Sequence, residues 1–298
     1  MRLGVCLIAA AVLGGCASHR VPPAGESALQ LETVIEKVRQ LSVAARPPRT
    51  NEAATFERRD VRLAAARALV TVAPTAEHHR AVAGEYVRLG VLDLAYKHFA
   101  AALQLDPHDA AAYDGRARVW RDWGYPYLGL SDVYRAIFYA PQSPAPRNTL
   151  GTLLVNMKLN AQARDAFEQA LARDPGAAYA LNNLCYAALM EGDNVRAIDR
   201  CRGALAVQPD LPTARNNLAL AYAAHGNWAA ATSEFSATAT PARASYNMGV
   251  ALMATGRFGE AAGAFDQAAA LDAALTDARA RAKQARTLAA KFRAEGSE

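Results

Sequence analysis

Residues 178–211 read AYALNNLCYAALMEGDNVRAIDRCRGALAVQPDL. Leu181, Leu184, Cys185 and Ala188 fall at i, i+3, i+4 and i+7, which is one face of a helix. Gly192 supplies a turn, and Ala197, Cys201 and Ala204 at i, i+4 and i+7 mark a second helix. Pro209 closes the stretch, because proline cannot continue a helix. Small residues on both faces let the two backbones approach closely.

The same beat of 34 residues runs from Ala76 to about Ala273. Pro107, Pro141, Pro175 and Pro209 keep it, as do Gly90, Gly124, Gly192 and Gly226, with Gly256 close behind. Alanine recurs at Ala95, Ala163, Ala197, Ala231 and Ala261, and again at Ala102, Ala136, Ala170, Ala204 and Ala268. A large ring follows four residues after the first alanine at Phe99, Phe167, Phe235 and Phe265. Six units start near Ala76, Ala110, Pro144, Ala178, Pro212 and Ala242. A single helix pair cannot bury its apolar face alone, so neighbours must stack into one continuous core.

These offsets of small residue, aromatic and proline resemble the tetratricopeptide repeat. The resemblance covers about two thirds of the chain (residues 76–273) and implies an all-α, right-handed superhelical solenoid. About six helix hairpins would lie between capping helices at residues 26–75 and 274–298. The second unit departs from the pattern, with Gly129 where alanine is expected and Pro126 at the start of its second helix. The fifth is four residues short and reaches Pro241 early, so its second helix should lose about a turn.

The chain begins Met1-Arg2, followed by an apolar run from Leu3 to Leu13, a secretory leader over residues 1–15. Leu13-Gly14-Gly15-Cys16 resembles the bacterial lipoprotein processing box, which implies lipidation of Cys16 and a short tether over 16–25. Ala17 and Ser18 lack the aspartate that retains such proteins in the inner membrane. The resemblance therefore implies an outer-membrane anchor facing the periplasm. A helical pattern through Leu29, Leu31, Val34, Ile35, Val38 and Leu41 is broken at Arg46-Pro47-Pro48-Arg49. A second pattern places Val61, Ala65, Ala68, Leu69 and Val72 on one face. This pair reads as a degenerate repeat or a cap.

The formal charge is +5, but acidic and basic residues are interspersed and no basic stripe forms, which argues against nucleic-acid binding. No 20-residue apolar run is present, so no spanning helix is expected in the mature chain. Phosphate loops, nucleophile elbows and zinc-protease motifs are missing, so the chain reads as non-enzymatic, without cofactor or metal. His78 and His79 point about 100° apart on a helix and read as surface residues. The aromatic cluster of the second unit (Trp120, Trp123, Tyr134, Phe138, Tyr139) reads mostly as core, with Tyr125 and Tyr127 as a secondary patch.

Cys185 and Cys201 occupy positions that face each other across the fourth hairpin. They form a disulfide in an oxidising compartment, or else two buried thiols. Asparagine also repeats: Asn148, Asn182 and Asn216 at one position, Asn183, Asn217 and Asn247 at the next. In peptide-clamping tetratricopeptide proteins, asparagine at the second position faces the concave surface and bonds a peptide backbone. A carboxamide both donates and accepts, which suits an extended strand of any sequence. The alternative is that these asparagines satisfy neighbouring helix carbonyls. Tyr179, Tyr186, Met190, Leu220 and Tyr246 project onto the same wall. The resulting expectation is a lipid-anchored scaffold that binds protein partners in pilus or secretion assembly. Two other readings stay open: an adaptor for cell-wall or outer-membrane biogenesis enzymes, and a glycan-binding or enzymatic module using carboxylates such as Glu77, Asp114 and Asp122.

Overall fold

The computed structural model describes residues 60–295. The leader, Cys16, the tether and the helical pattern at 26–45 lie outside the described residues. Helix α1 (Val61–Val72) leads into six hairpins: α2/α3 (Ala76–Arg88, Leu92–Leu105), α4/α5 (Ala110–Asp122, Leu130–Tyr139) and α6/α7 (Pro144–Asn156, Asn160–Arg173). They continue as α8/α9 (Ala178–Glu191, Asn194–Val207), α10/α11 (Pro212–Ala224, Trp228–Thr238) and α12/α13 (Pro241–Ala254, Phe258–Leu271). A last helix, α14 (Thr276–Glu295), packs on α13. The described residues form an all-α solenoid.

Each hairpin closes over one slot. In the third and sixth hairpins a phenylalanine of the second helix points at a glycine of the first, Phe167 at Gly151 and Phe265 at Gly249. Phe167, Phe235 and Phe265 are fully buried there. In the fourth hairpin the same two positions are Cys185 and Cys201, with Cα atoms 5.2 Å apart and the sulfurs bonded. Both cysteines are completely buried. A disulfide thus occupies the place of a ring packed on a glycine or alanine.

Departures from the consensus have local physical reasons. Pro126 opens a 3-10 turn, Pro126–Gly129, before α5, at a first-turn position where its missing N–H costs no hydrogen bond. That turn brings Gly129 so near α4 that a Cβ would stand 2.9 Å from the Ala117 carbonyl oxygen. Glycine replaces alanine here because the backbones approach more closely. Helix α11 has 11 residues where α9 and α13 have 14, the shortening that the early proline implies. The turn between α6 and α7 holds Lys158 at φ 64° in the left-handed slot that glycine fills in the other five hairpins.

Three expectations are corrected. On α1 the buried stripe is Leu63 and Ala66, not Val61, Leu69 and Val72, which are 81%, 48% and 85% exposed. Among the described residues the helix packs mainly on α2, so a single narrow face is covered. His78 and His79 are half-buried: His78 Nδ1 lies 2.6 Å from the Ala73 carbonyl, and His79 Nδ1 lies 3.0 Å from His98 Nδ1. Burial, with the charges of His79 and Arg67 adding to it, pushes the His98 imidazole down to about 4. In the second hairpin Trp120 is core, whereas Tyr134 and Phe138, one turn apart, are 57% and 75% exposed.

Candidate functional site: an asparagine ladder along the first helices

Stacking places α6, α8, α10 and α12 side by side. The asparagines at the fifth and sixth positions of successive units then meet. Asn183 Nδ2 donates to Asn148 Oδ1 at 2.7 Å, and Asn217 Nδ2 to Asn182 Oδ1 at 3.0 Å. Asn247 Nδ2 donates to Asn216 Oδ1, also at 3.0 Å. The six predicted asparagines thus form three rungs, each closed between neighbouring repeats. Pairing amide with amide, not amide with helix carbonyl, was not anticipated. Sequence spacing showed both columns but not that one column would donate to the other.

The rungs remain chemically open. A carboxamide has two N–H donors and an oxygen with two lone pairs, and each rung uses only one donor and one lone pair. All six side chains are half-buried, and Asn182, Asn183, Asn216 and Asn217 line a concavity of about 440 Å³ with Tyr186, Pro212 and Thr213. Tyr186 and Tyr179 are each 40% exposed and Met190 55%, so α8 presents an apolar margin beside the amides. Burial raises the Tyr179 phenol above its ordinary range, and the carboxylates of Asp174 and Asp114 add to the effect.

Leu220 and Tyr246 depart from the expected wall. Leu220 packs half-buried against the core around Phe235, and Tyr246 stands edge-on to Phe265 at 5.4 Å between ring centres. The scattered carboxylates do not converge: Asp114 is held by Arg118 at 3.3 Å and Asp122 by Arg121 at 2.8 Å. Among the described residues no cluster of three or more His, Cys, Asp or Glu could hold a metal ion, and no helix is long and apolar enough to cross a membrane.

With this geometry in hand, the chain can be set beside known proteins. No family profile and no curated protein matches it. Solved structures do. A tetratricopeptide repeat protein from Parabacteroides merdae aligns over 74% of this chain and 91% of its own, at 15% identity and a TM-score of 0.55. The fold is a tetratricopeptide-repeat solenoid. PilW, a widely conserved type IV pilus biogenesis factor, aligns over 68% of this chain and 96% of its own, with 22% identity and a TM-score of 0.59. The Cut9–Hcn1 hetero-tetramer of the APC/C gives a TM-score of 0.63 at 19% identity, covering 74% of this chain. This chain spans only 45% of that larger one. At such identities the likeness is one of fold.

The ladder makes a direct prediction. Asn217→Ala removes one rung and should cost about 1 kcal/mol of stability, the net worth of one hydrogen bond. Partner binding should fall far more, by at least about tenfold, because Asn217 also faces the concavity. Urea denaturation read beside partner capture separates the two. Loss of binding only in proportion to loss of fold would make the rung purely structural.

Proposed function

We propose that this chain is a non-enzymatic scaffold that holds extended segments of protein partners along its amide ladder, anchored to the bacterial outer membrane by a lipid on Cys16. Three amide rungs, each with unused donors and acceptors beside an open apolar margin, carry this reading. Such a row matches a peptide backbone irrespective of side chains, and Tyr179, Tyr186 and Met190 supply the apolar contact. The closed pair Cys185–Cys201 suits an oxidising compartment such as the periplasm. Within the envelope, likeness to PilW favours a role in assembling a pilus or a secretion machine.

Photocrosslinking from position 186 in intact membranes tests the groove. Enrichment of a pilin or secretin is the expected result, and recovery of cell-wall synthases or hydrolases instead would favour the adaptor reading. The anchor is tested separately. Cys16→Ala should abolish incorporation of labelled palmitate and move the protein from the outer-membrane fraction to the soluble one. A labelled, membrane-bound Cys16→Ala protein would overturn the anchor and leave the groove untouched.

A further inference from the structure

The fourth residue of a hairpin's first helix and the residue 19 places on can bridge the two helices. In the fifth hairpin these are Arg215 on α10 and Glu234 on α11, an ion pair at 3.2 Å. The first hairpin sets His79 on α2 and His98 on α3 at the same two positions, with their Nδ1 atoms 3.0 Å apart. A guanidinium and a carboxylate complete each other, but two imidazoles do not. Their facing nitrogens cannot both carry a proton at that distance, so at least one lone pair points into the gap. Tyr86, 3% exposed, packs on the His98 ring at 5.6 Å between ring centres. Both rings of the pair are half-buried, which disfavours their charged forms and leaves the neutral imidazole that ligates metals.

We propose that His79 and His98 form a two-histidine site for a late divalent transition-metal ion, Cu²⁺ before Ni²⁺ or Zn²⁺, that staples the first hairpin. Imidazole nitrogens bind such ions at about 2.0–2.1 Å, so two of them 3.0 Å apart subtend about 95° at the metal. That is nearer the right angle of tetragonal Cu²⁺ than the tetrahedral angle of Zn²⁺, and the general order of affinities runs the same way. Entry of the ion needs no net loss of protons. The Nδ1 proton in the gap leaves to solvent, and the same ring takes one up at Nε2. Solvent supplies the remaining ligands, because both rings are partly exposed. Arg67 on α1 opposes the ion by charge, but it is exposed and screened by water. The ion ties α2 to α3 near the start of the array, as the disulfide ties α8 to α9 further on. The site stands whether or not the groove binds a peptide.

To test this, the full chain is titrated with Cu²⁺, Ni²⁺ and Zn²⁺ salts in turn while the ring NMR signals of its histidines are followed. Cu²⁺ should broaden the His79 and His98 signals at a lower concentration than it does those of exposed His225. Hydrogen exchange should slow in α2 and α3, stay unchanged in α8 and α9, and return to its first rate with a chelator. His79→Asn and His98→Gln should each weaken uptake at the remaining ring by at least about tenfold, since loss of even an outer-shell partner costs that much. Urea midpoints without metal check that each variant folds. Arg67→Gln should tighten uptake, by removal of a like charge. Arg215→His/Glu234→His leaves the first hairpin untouched and should build a second site in the fifth, with both new rings responding to Cu²⁺ as the first pair does. Were His79 and His98 to respond no earlier than His225, or the single variants to bind as the unaltered chain does, the metal site would be overturned. The two rings would then share a proton and nothing more.

Discussion

Replacing Cys185 and Cys201 together by alanine should cost the array about 4 kcal/mol. The bond closes a loop with a sequence separation of 16, and freeing a loop of that size returns about 3 kcal/mol of chain entropy to the unfolded state. Both sulfurs are completely buried in a slot that a phenylalanine ring fills elsewhere, so truncation also leaves a void costing about 1 kcal/mol. Reduction with dithiothreitol removes the constraint but keeps the atoms, and should cost about 3 kcal/mol. The loss should be local, since each repeat is stabilised mainly by its neighbours. Hydrogen exchange should quicken in α8 and α9 and stay unchanged in α2 and α3. Because Asn182, Asn183 and Tyr186 ride on α8, reduced protein should also capture partners less well. Identical urea midpoints with and without reductant would show that the bond contributes nothing.

Much of this architecture was legible because a repeat states its rules several times over. The observed first helices begin at Ala76, Ala110, Pro144, Ala178, Pro212 and Pro241, where period and proline spacing put them to within a residue. Burial of one stripe per helix was legible for the same reason: an error in one unit is corrected by the next. What could not be read lies where repetition stops. Helix α1 has no counterpart to fix which face it buries, and its more apolar face, Val61 with Leu69 and Val72, is the one left exposed. Lys158 sits in a glycine's conformation because the surrounding turn over-determines it, a matter of backbone geometry that leaves no mark on side-chain pattern. The asparagine columns were visible, but their mutual hydrogen bonds depend on the lateral offset of neighbouring helices, which spacing along one chain does not encode.

The small-against-large slot yields the second large effect. Gly151 lies inside α6, where alanine should be favoured by about 1 kcal/mol on helix propensity alone. Yet a Cβ there would stand 2.3 Å from Phe167 Cε1 and 2.5 Å from its Cδ1. Phe167 is 1% exposed and packed on every side, so the ring cannot swing aside without disturbing α7. Overpacking of this kind costs about 1–3 kcal/mol beyond the propensity gain, so Gly151→Ala should destabilise by roughly 2 kcal/mol. Gly84→Ala on the exposed face of α2 is the control: a Cβ there meets nothing within 4 Å, and the same substitution should stabilise by about 1 kcal/mol. Adding Phe167→Leu to Gly151→Ala should recover part of the loss, with a coupling energy above about 1 kcal/mol in the double-mutant cycle. The slot should also transplant. Cys185→Gly with Cys201→Phe rebuilds the third hairpin's pair in the fourth, and should be more stable than the double-alanine protein by roughly 2 kcal/mol while losing all response to reductant. Urea midpoints decide every comparison. Were Gly151→Ala to stabilise as Gly84→Ala does, the ring would have room to move, and the fit of phenylalanine to glycine would not be what sets the spacing of the helix pairs.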